Sequence, residues 1–421
     1  MLYDRWREIA REFSSELALR DLPSGREWTF SQLAAAADAQ TPWVQEVIVF
    51  PQGNTPEFVF ALLRAWRDRS VVCPIEPGQT APEFLPPPAR VAHLKITSAT
   101  SGAPKLVAMT AEQLAADAEN IVGTMGLKRE WPSLAFISLA HSYGFSNLIT
   151  PLLLHGIPLI LGGTPLPEIV RRAVACSGNV TLAAVPTLWR VWHEAGVISA
   201  DIRLAISAGA PLPLALEQEV FARHALKIHN FYGASECGGI AYDSGMAPRV
   251  DTSCVGESMR NVYLEINGDG CLEVRGGNVA EMYWPDSDPV LAPGIYRTSD
   301  LAEIRDGQVF LRGRAGDVIN VAARKIAPES IERLLATHPD VRDCLVFGVP
   351  DRDGQRGDVI VACVVARNGT NVESLRQFLL ARSDAWQVPR EFWFIDSLEV
   401  NQRGKLSRAE WRKKFLQAKS A

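Results

Sequence analysis

Between Val91 and Asn230 short runs of Ile, Val and Leu alternate with segments whose apolar residues recur at helical spacing, and few folds accommodate that pattern. Strands are expected at 134–139, 157–161, 180–185, 202–207 and 226–230, each preceded by a helix, at 111–125, 145–154, 167–175, 186–194 and 214–223. Strands that are apolar throughout are buried on both faces, which calls for a largely parallel sheet with helices over both sides. Upstream, a short edge and an Ala-rich helix (28–39) lead to a βαβ unit of strand 47–50, helix 56–67 and strand 70–75. A Pro-rich connector, 76–88, then reaches the apolar run 91–96.

From about Ala241 the pattern changes to short strands separated by Gly and Asp turns, at 263–266, 270–275, 295–298, 301–304 and 308–312. Such spacing predicts a small antiparallel subdomain. The stretch 313–316, with two glycines, joins it to a final unit with a helix near 328–337, strands 344–349 and 359–366, a helix 372–382 and a strand 391–395. The expected fold is α/β. A large N-terminal body, 1–314, has mostly parallel covered sheets and a β-rich subdomain at about 241–314. A small mobile α+β C-terminal domain, 315–421, follows on a glycine-bearing hinge. A chain of 421 residues exceeds one comfortable core, which agrees with this division.

The 43 basic and 48 acidic residues are interspersed and leave a net charge of -5, which disfavours nucleic acid or an anionic membrane as the main partner. Seven scattered cysteines without a C-x-x-C pair suggest neither a disulfide framework nor a zinc site. The longest apolar stretch, 148–161, is broken by Pro151, His155 and Pro158 and is too short to span a bilayer. The charged N-terminus has no apolar core of a signal peptide, so a cytoplasmic location is expected.

Polar clusters fall where ligands of such sheets sit, beyond the carboxyl ends of the strands. Residues 97–105, Thr-Ser-Ala-Thr-Ser-Gly-Ala-Pro-Lys, place four hydroxyls, a Gly and a Lys directly after an apolar run. Exposed backbone N–H groups, hydroxyls and an ammonium suit a polyphosphate, although the Walker spacing is absent. The same residues also suit an ordinary strand-to-helix turn. Further along come His141-Ser-Tyr-Gly-Phe145, Ser207-Ala-Gly-Ala-Pro211, Asn230-Phe-Tyr-Gly-Ala-Ser-Glu236, Tyr296-Arg-Thr-Ser-Asp300, Gly313-Arg314 and Asn401-Gln-Arg-Gly-Lys405. Singly, Lys405 reads as a solvated lysine, Asp300 as a turn cap, His141 as a packing residue, and Asn230 and Tyr232 as turn and core residues.

In this order and spacing the clusters resemble the adenylate-forming ligases: acyl- and aryl-CoA synthetases, peptide-synthetase adenylation domains and luciferases. The resemblance spans about 28–408. It implies that Thr97, Ser98, Thr100, Ser101, Gly102 and Lys105 hold the β- and γ-phosphates of ATP. Ala208, Gly209 and Ala210 would form a flat wall against adenine, and Asn230, Phe231, Tyr232 and Gly233 belong to the same nucleotide-binding segment. In it Tyr232 would stack on the purine and Asn230 would bond near its amino group. Ser235 would contact the α-phosphate, Glu236 would hold Mg²⁺, and Asp300 with Arg314 would take the ribose. Lys405 would stabilise charge between the substrate carboxylate and the α-phosphate, and His141 would flank that carboxylate.

The implied activity is ATP-dependent conversion of a fatty or aromatic acid to an acyl-adenylate, followed by transfer to a thiol of CoA or of a carrier protein's phosphopantetheine. Alternatives are an amino-acid adenylation domain, disfavoured because no Asp stands near Ser142–Tyr143, and a catalytically silent nucleotide-binding relative. Several positions depart from the family pattern. Ala99 and Leu106 replace loop glycines, Gly316 stands at the usual Asp or Lys hinge, and Ala323 and Lys325 replace Gly and Arg beside the thiol channel. Only about twenty residues separate Pro77 from the phosphate loop, a shorter N-terminal region than relatives have.

Overall fold

The computed structural model describes residues 1–42, 48–82, 85–97, 105–322, 324–351, 357–367, 369–399 and 406–420. Strands Leu159–Leu161, Ser133–Ala135, Val180–Ala184, Ile202–Ser207 and Ile228–Ala234 lie side by side and parallel, as the apolar runs require. At one edge Leu17–Asp21 joins them in parallel and Arg26–Thr29 antiparallel. At the other edge the ladder turns antiparallel and continues without a break through Gly238–Tyr242, Cys254–Ser258, Gln308–Arg314, Ile295–Arg305, Cys271–Gly276 and Val262–Ile266. The β-rich subdomain is therefore an extension of the main sheet. The expected strands 295–298 and 301–304 are one strand, Ile295–Arg305, whose pairing with Gln308–Arg314 is irregular between Leu301 and Ala302.

A second sheet holds Ile48–Val49, Val71–Val72, Val91–Ile96, Leu106–Thr110 and Met282–Trp284. Its Val91–Ile96 and Leu106–Thr110 pair antiparallel, Ile96 opposite Leu106. The 97–105 segment thus connects strand to strand, not strand to helix. Leu106 is a buried sheet residue, and Leu-Val-Ala-Met-Thr at 106–110 is the apolar run that makes this strand. Helix Ala111–Met125 starts at Thr110, whose side chain accepts from Gln113 N while Gln113 bonds back, satisfying two otherwise orphaned donors. Its Leu114, Ala118 and Ile121 share one core with Val107 and Met109 of the second sheet and Ala135 and Leu161 of the first. On the far side of the first sheet Trp189, Trp192, Val170 and Val220 cover Leu134, Leu182 and Ala205.

Beyond Arg314 a three-stranded sheet, Val341–Pro350, Asp358–Ala366 and Glu391–Phe394, alternates its side chains between two small cores. Val346, Ile360 and Ala362 meet helices Pro328–Leu335 and Val372–Leu380, while Leu345, Phe347, Val361 and Cys363 meet Trp411 and Phe415 of helix Arg408–Ser420. That last helix, helix Leu2–Glu12 and strand Leu17–Asp21 are additions to the sequence expectation. Helix Leu2–Glu12 buries only Leu2, Trp6 and Ala10 among charged residues, so its apolar stripe is narrow. The expected helix 145–154 begins as a π-helical turn, Phe145–Ile149, and becomes α-helical at Thr150–His155.

A buried charge network locks the junction between the parallel and antiparallel parts. The Lys227 ammonium pairs with Glu217 and with Asp243 Oδ2, the latter at 2.5 Å. Arg249 donates through Nε to Glu217 Oε2 at 2.9 Å and through Nη2 to Leu212 O at 2.8 Å. Glu217 is 0% exposed, so neutralising it leaves two buried cations short of a partner. Glu217→Gln is expected to cost about 3–5 kcal/mol in urea denaturation; an unchanged midpoint would show the network to be dispensable.

Burial, and then the neighbouring Arg5, holds His155 down at about 4 against an ordinary 6.5. Burial likewise holds His93 well below its ordinary value. Between these limits the unfolded chain takes up protons that the folded chain refuses. The contribution is complete above pH 6.5 and is lost as pH falls toward 4. The urea midpoint is expected to decline over that window, with a shallower slope in His155→Gln; equal slopes would contradict the assignment.

Candidate active site

The last parallel strand, Ile228–Ala234, carries Tyr232, whose phenol donates to Asp300 Oδ2 at 2.5 Å. Arg314 Nε donates to the other oxygen, Oδ1, at 3.0 Å, and Asp300 and Arg314 face each other across the antiparallel ladder. Burial, then Asp300, pushes the Tyr232 phenol far above its usual range, so it stays a donor. Gly313, beside Arg314, has φ 137° and lies against the Glu329 carboxylate, a position that admits no side chain.

A second constellation forms around Tyr283 on strand Met282–Trp284. Its phenol donates to Glu236 Oε1 at 2.8 Å, and burial followed by Glu236 raises its pKa. The Lys105 ammonium lies 4.6 Å from the Tyr283 ring centroid and 2.8 Å from Asp288 Oδ2. At the mouth of the 97–105 segment Thr97 N donates to Lys105 O at 2.9 Å, and Lys105 N donates to Thr97 Oγ1 at 3.1 Å. Ser98, Thr100, Ser101, Gly102 and Lys405, together with Ala99 and Ala323, lie outside the described residues.

His141 precedes the short helical turn Ser142–Gly144, and its Nε2 lies 3.2 Å from Glu76 Oε1, which also accepts from the Ser138 hydroxyl. The Tyr143 phenol donates to Ile206 O at 3.3 Å, and its ring sits 5.9 Å from that of Phe231. Ala208 is buried with its N–H on Ala184 O, whereas Gly209, at φ 85°, and Ala210 are exposed. Asn230 is buried with its amide 3.4 Å from Cys254 O, and Phe231 is buried too, so these two brace the strand from within. Tyr232 and Ser235 are half-buried and Gly233 is exposed.

Among the described residues no three His, Cys, Asp or Glu side chains form a metal-binding group. Glu236 Oε1 is engaged by Tyr283, and no hydrogen bond reaches its Oε2 among the described residues. One hard carboxylate oxygen fits a Mg²⁺ that takes its remaining ligands from phosphate and water. Tyr283, Asp288 and Glu76 were not expected from the sequence. Glu76 lies in the Pro-rich connector and Asp288 in a Pro-Asp-Ser-Asp-Pro turn, where no local pattern marks them.

The AMP-binding enzyme profile matches residues 83–284, and the profile of the AMP-binding enzyme C-terminal domain matches 330–405. The chain belongs to the AMP-binding enzymes. A probable 2-succinylbenzoate–CoA ligase from Mycobacterium tuberculosis is 28% identical to this AMP-binding enzyme over 342 residues, 77% of this chain and 85% of that one. A fatty acid–acyl-carrier-protein ligase from Streptomyces coeruleorubidus is 31% identical over 263 residues, 56% of this chain and 50% of that one. The solved structure of ATP-bound MatB from Rhodopseudomonas palustris has the same fold, with a TM-score of 0.85 at 19% identity over 99% of each chain.

In this AMP-binding enzyme Asp300, the residue expected to take the ribose, offers two carboxylate oxygens, each already held by a donor. Asp300→Ala is expected to weaken ATP binding about 10- to 100-fold in titration calorimetry, the range of hydrogen bonds to a charged group. An unchanged dissociation constant would remove Asp300 from the nucleotide site.

Proposed function

We propose that this AMP-binding enzyme uses MgATP to convert an aromatic carboxylic acid into its acyl-adenylate and then transfers the acyl group to a thiol. The observation that carries the reading is the meeting of Lys105, Tyr283 and Glu236 at one point and of Tyr232, Asp300 and Arg314 at another. The first set supplies a cation and a metal-binding carboxylate suited to phosphates; the second supplies a bidentate acceptor suited to vicinal hydroxyls.

In the first step a carboxylate oxygen of the acid attacks the α-phosphorus, and the bond from that phosphorus to the bridging oxygen breaks. Pyrophosphate leaves, its charge balanced by Lys105 and the hydroxyls of the 97–105 segment. A bound Mg²⁺ supplies charge neutralisation on the phosphate oxygens. Glu236 would hold it, and Tyr283 fixes the Glu236 carboxylate. Lys405 bridges the carboxylate and the α-phosphate, where negative charge builds up. His141, set by Glu76, flanks the carboxylate. In the second step a thiol sulfur attacks the acyl carbon, the carbon–oxygen bond breaks, AMP leaves and the thiol proton passes to solvent.

We assign the two steps to two placements of the C-terminal unit, 315–421, relative to the body, 1–314. Gly316 sits exposed in the 3-10 turn Ala315–Asp317, with open space where a side chain would be, which suits a pivot. The aromatic class is favoured because the relative matched over most of both chains is named for an aryl acid. The same comparison favours CoA as the acceptor, and a carrier-protein thiol is the alternative that the shorter match favours. No helix among the described residues is long and apolar enough to cross a membrane.

Lys405→Ala is expected to lower acid-dependent ATP–pyrophosphate exchange by about 10²–10³ while ATP still binds. Near-normal exchange in that variant would contradict the role given to Lys405.

A further inference from the structure

A buried polar cluster borders the same site and has no part in the chemistry above. Lys95, two residues before Thr97 on strand Val91–Ile96, is 4% exposed; Asp117 of helix Ala111–Met125 and Ser146 of the π-helical turn are 1% and 2% exposed. The Ser146 hydroxyl donates to Asp117 Oδ2 at 2.6 Å and accepts from Lys95 Nζ at 3.4 Å. Asp117 Oδ1 accepts from Gly239 N at 3.0 Å. Three segments that carry proposed site residues therefore converge here. Lys95 leads into the phosphate loop, Ser146 lies five residues past His141, and Gly239 lies three past Glu236.

The cluster is incomplete as a structural tie. An ammonium has three protons to place, and among the described residues Lys95 makes one long hydrogen bond and no ion pair within 4.0 Å. A lysine retained only for stability would meet a carboxylate directly, as Lys227 meets Glu217. On the same strand His93 is 1% exposed and lies against Phe145 with ring centroids 4.2 Å apart and the rings tilted by 37°, and among the described residues its Nδ1 has no hydrogen-bond partner. Unused polar atoms in so dry a place point to a ligand that brings a polar group of its own.

Charge selects that group. Burial lowers the pKa of Lys95, while Asp117 and, more weakly, Glu236 oppose that shift as nearby anions; burial also keeps His93 neutral. A second carboxylate on the substrate would add a further negative charge around a single ammonium, whereas a hydroxyl can accept from Lys95 and remain neutral. We infer that Lys95, oriented by Ser146 and Asp117, is a specificity residue that receives a hydroxyl on the tail of the acid, so that the enzyme prefers a hydroxylated aryl acid to its unsubstituted parent. The inference rests on the acid-activation reading of the site.

The test is ATP–pyrophosphate exchange by the full chain with acids paired to differ by one hydroxyl: benzoate with 3- and 4-hydroxybenzoate, cinnamate with 4-hydroxycinnamate, and hexanoate with 6-hydroxyhexanoate. Isophthalate serves as the dicarboxylate. The wild type is expected to favour the hydroxylated member of an aryl pair by about 10- to 100-fold in kcat/KM. In Lys95→Met that ratio is expected to fall to about one, with folding checked by thermal unfolding. A wild-type preference below about twofold in every aryl pair, a higher kcat/KM for isophthalate than for the hydroxybenzoates, or an unchanged ratio in Lys95→Met would each overturn the inference. Absence of exchange with every acid would instead overturn the acid-activation reading, so the two failures are distinguishable; the wild-type comparison stands even if the variant fails to fold.

Discussion

Asp300 accepts from Tyr232 on one oxygen and from Arg314 on the other, and these residues come from three parts of the chain. Tyr232 ends the parallel sheet, Asp300 lies within the long antiparallel strand, and Arg314 is the last ladder residue before the C-terminal unit. Partly buried carboxylate oxygens need such hydrogen-bond partners in place of water. The continuous ladder from the parallel strands to Gln308–Arg314 is what brings them there. The Tyr232–Asp300–Arg314 constellation thus depends on the sheet's change from parallel to antiparallel pairing, which the Glu217–Lys227–Arg249 network secures from behind.

The C-terminal unit has its own tie. Arg408 donates to Val346 O at 3.1 Å, to Asp317 at 2.9 Å and to Glu332 at 2.8 Å, and pairs with Glu329 at 2.8 Å. Burial pushes the Glu329 and Glu332 carboxyls up, and Arg408 opposes the shift. Arg408 lies three residues past Lys405, and Asp317 follows Gly316. The start of helix Arg408–Ser420 is therefore fastened to Asp317, Glu329 and Glu332, next to the pivot proposed at Gly316.

Much of this was legible in the sequence. Apolar runs at 180–185 and 202–207 and the helices before them gave the parallel core because a strand buried on both faces leaves no alternative. The order of the polar clusters singled out Tyr232, Glu236, Asp300 and Arg314, which the sequence sets just past the expected strand ends; in the structure the strands run on through Tyr232, Asp300 and Arg314. Leu106–Thr110 was hidden because a short apolar run before a capped helix reads as helix entry, and only its pairing with Val91–Ile96 makes it a strand. Tyr283, Asp288 and Glu76 were hidden for a different reason: their partners, Glu236, Lys105 and His141, lie 47, 183 and 65 positions away. Lys95 was read as part of an apolar strand; its isolation appears only once Asp117 and Ser146 stand beside it.

The central claim is that the acid becomes bonded to AMP before the thiol arrives, and oxygen-isotope transfer tests it most directly. With a carboxylic acid labelled with heavy oxygen, ATP and a thiol acceptor, the AMP released should carry one labelled oxygen, because thiol attack at the acyl carbon leaves the bridging oxygen on phosphorus. Unlabelled AMP, or formation of ADP and phosphate in place of AMP and pyrophosphate, would contradict it.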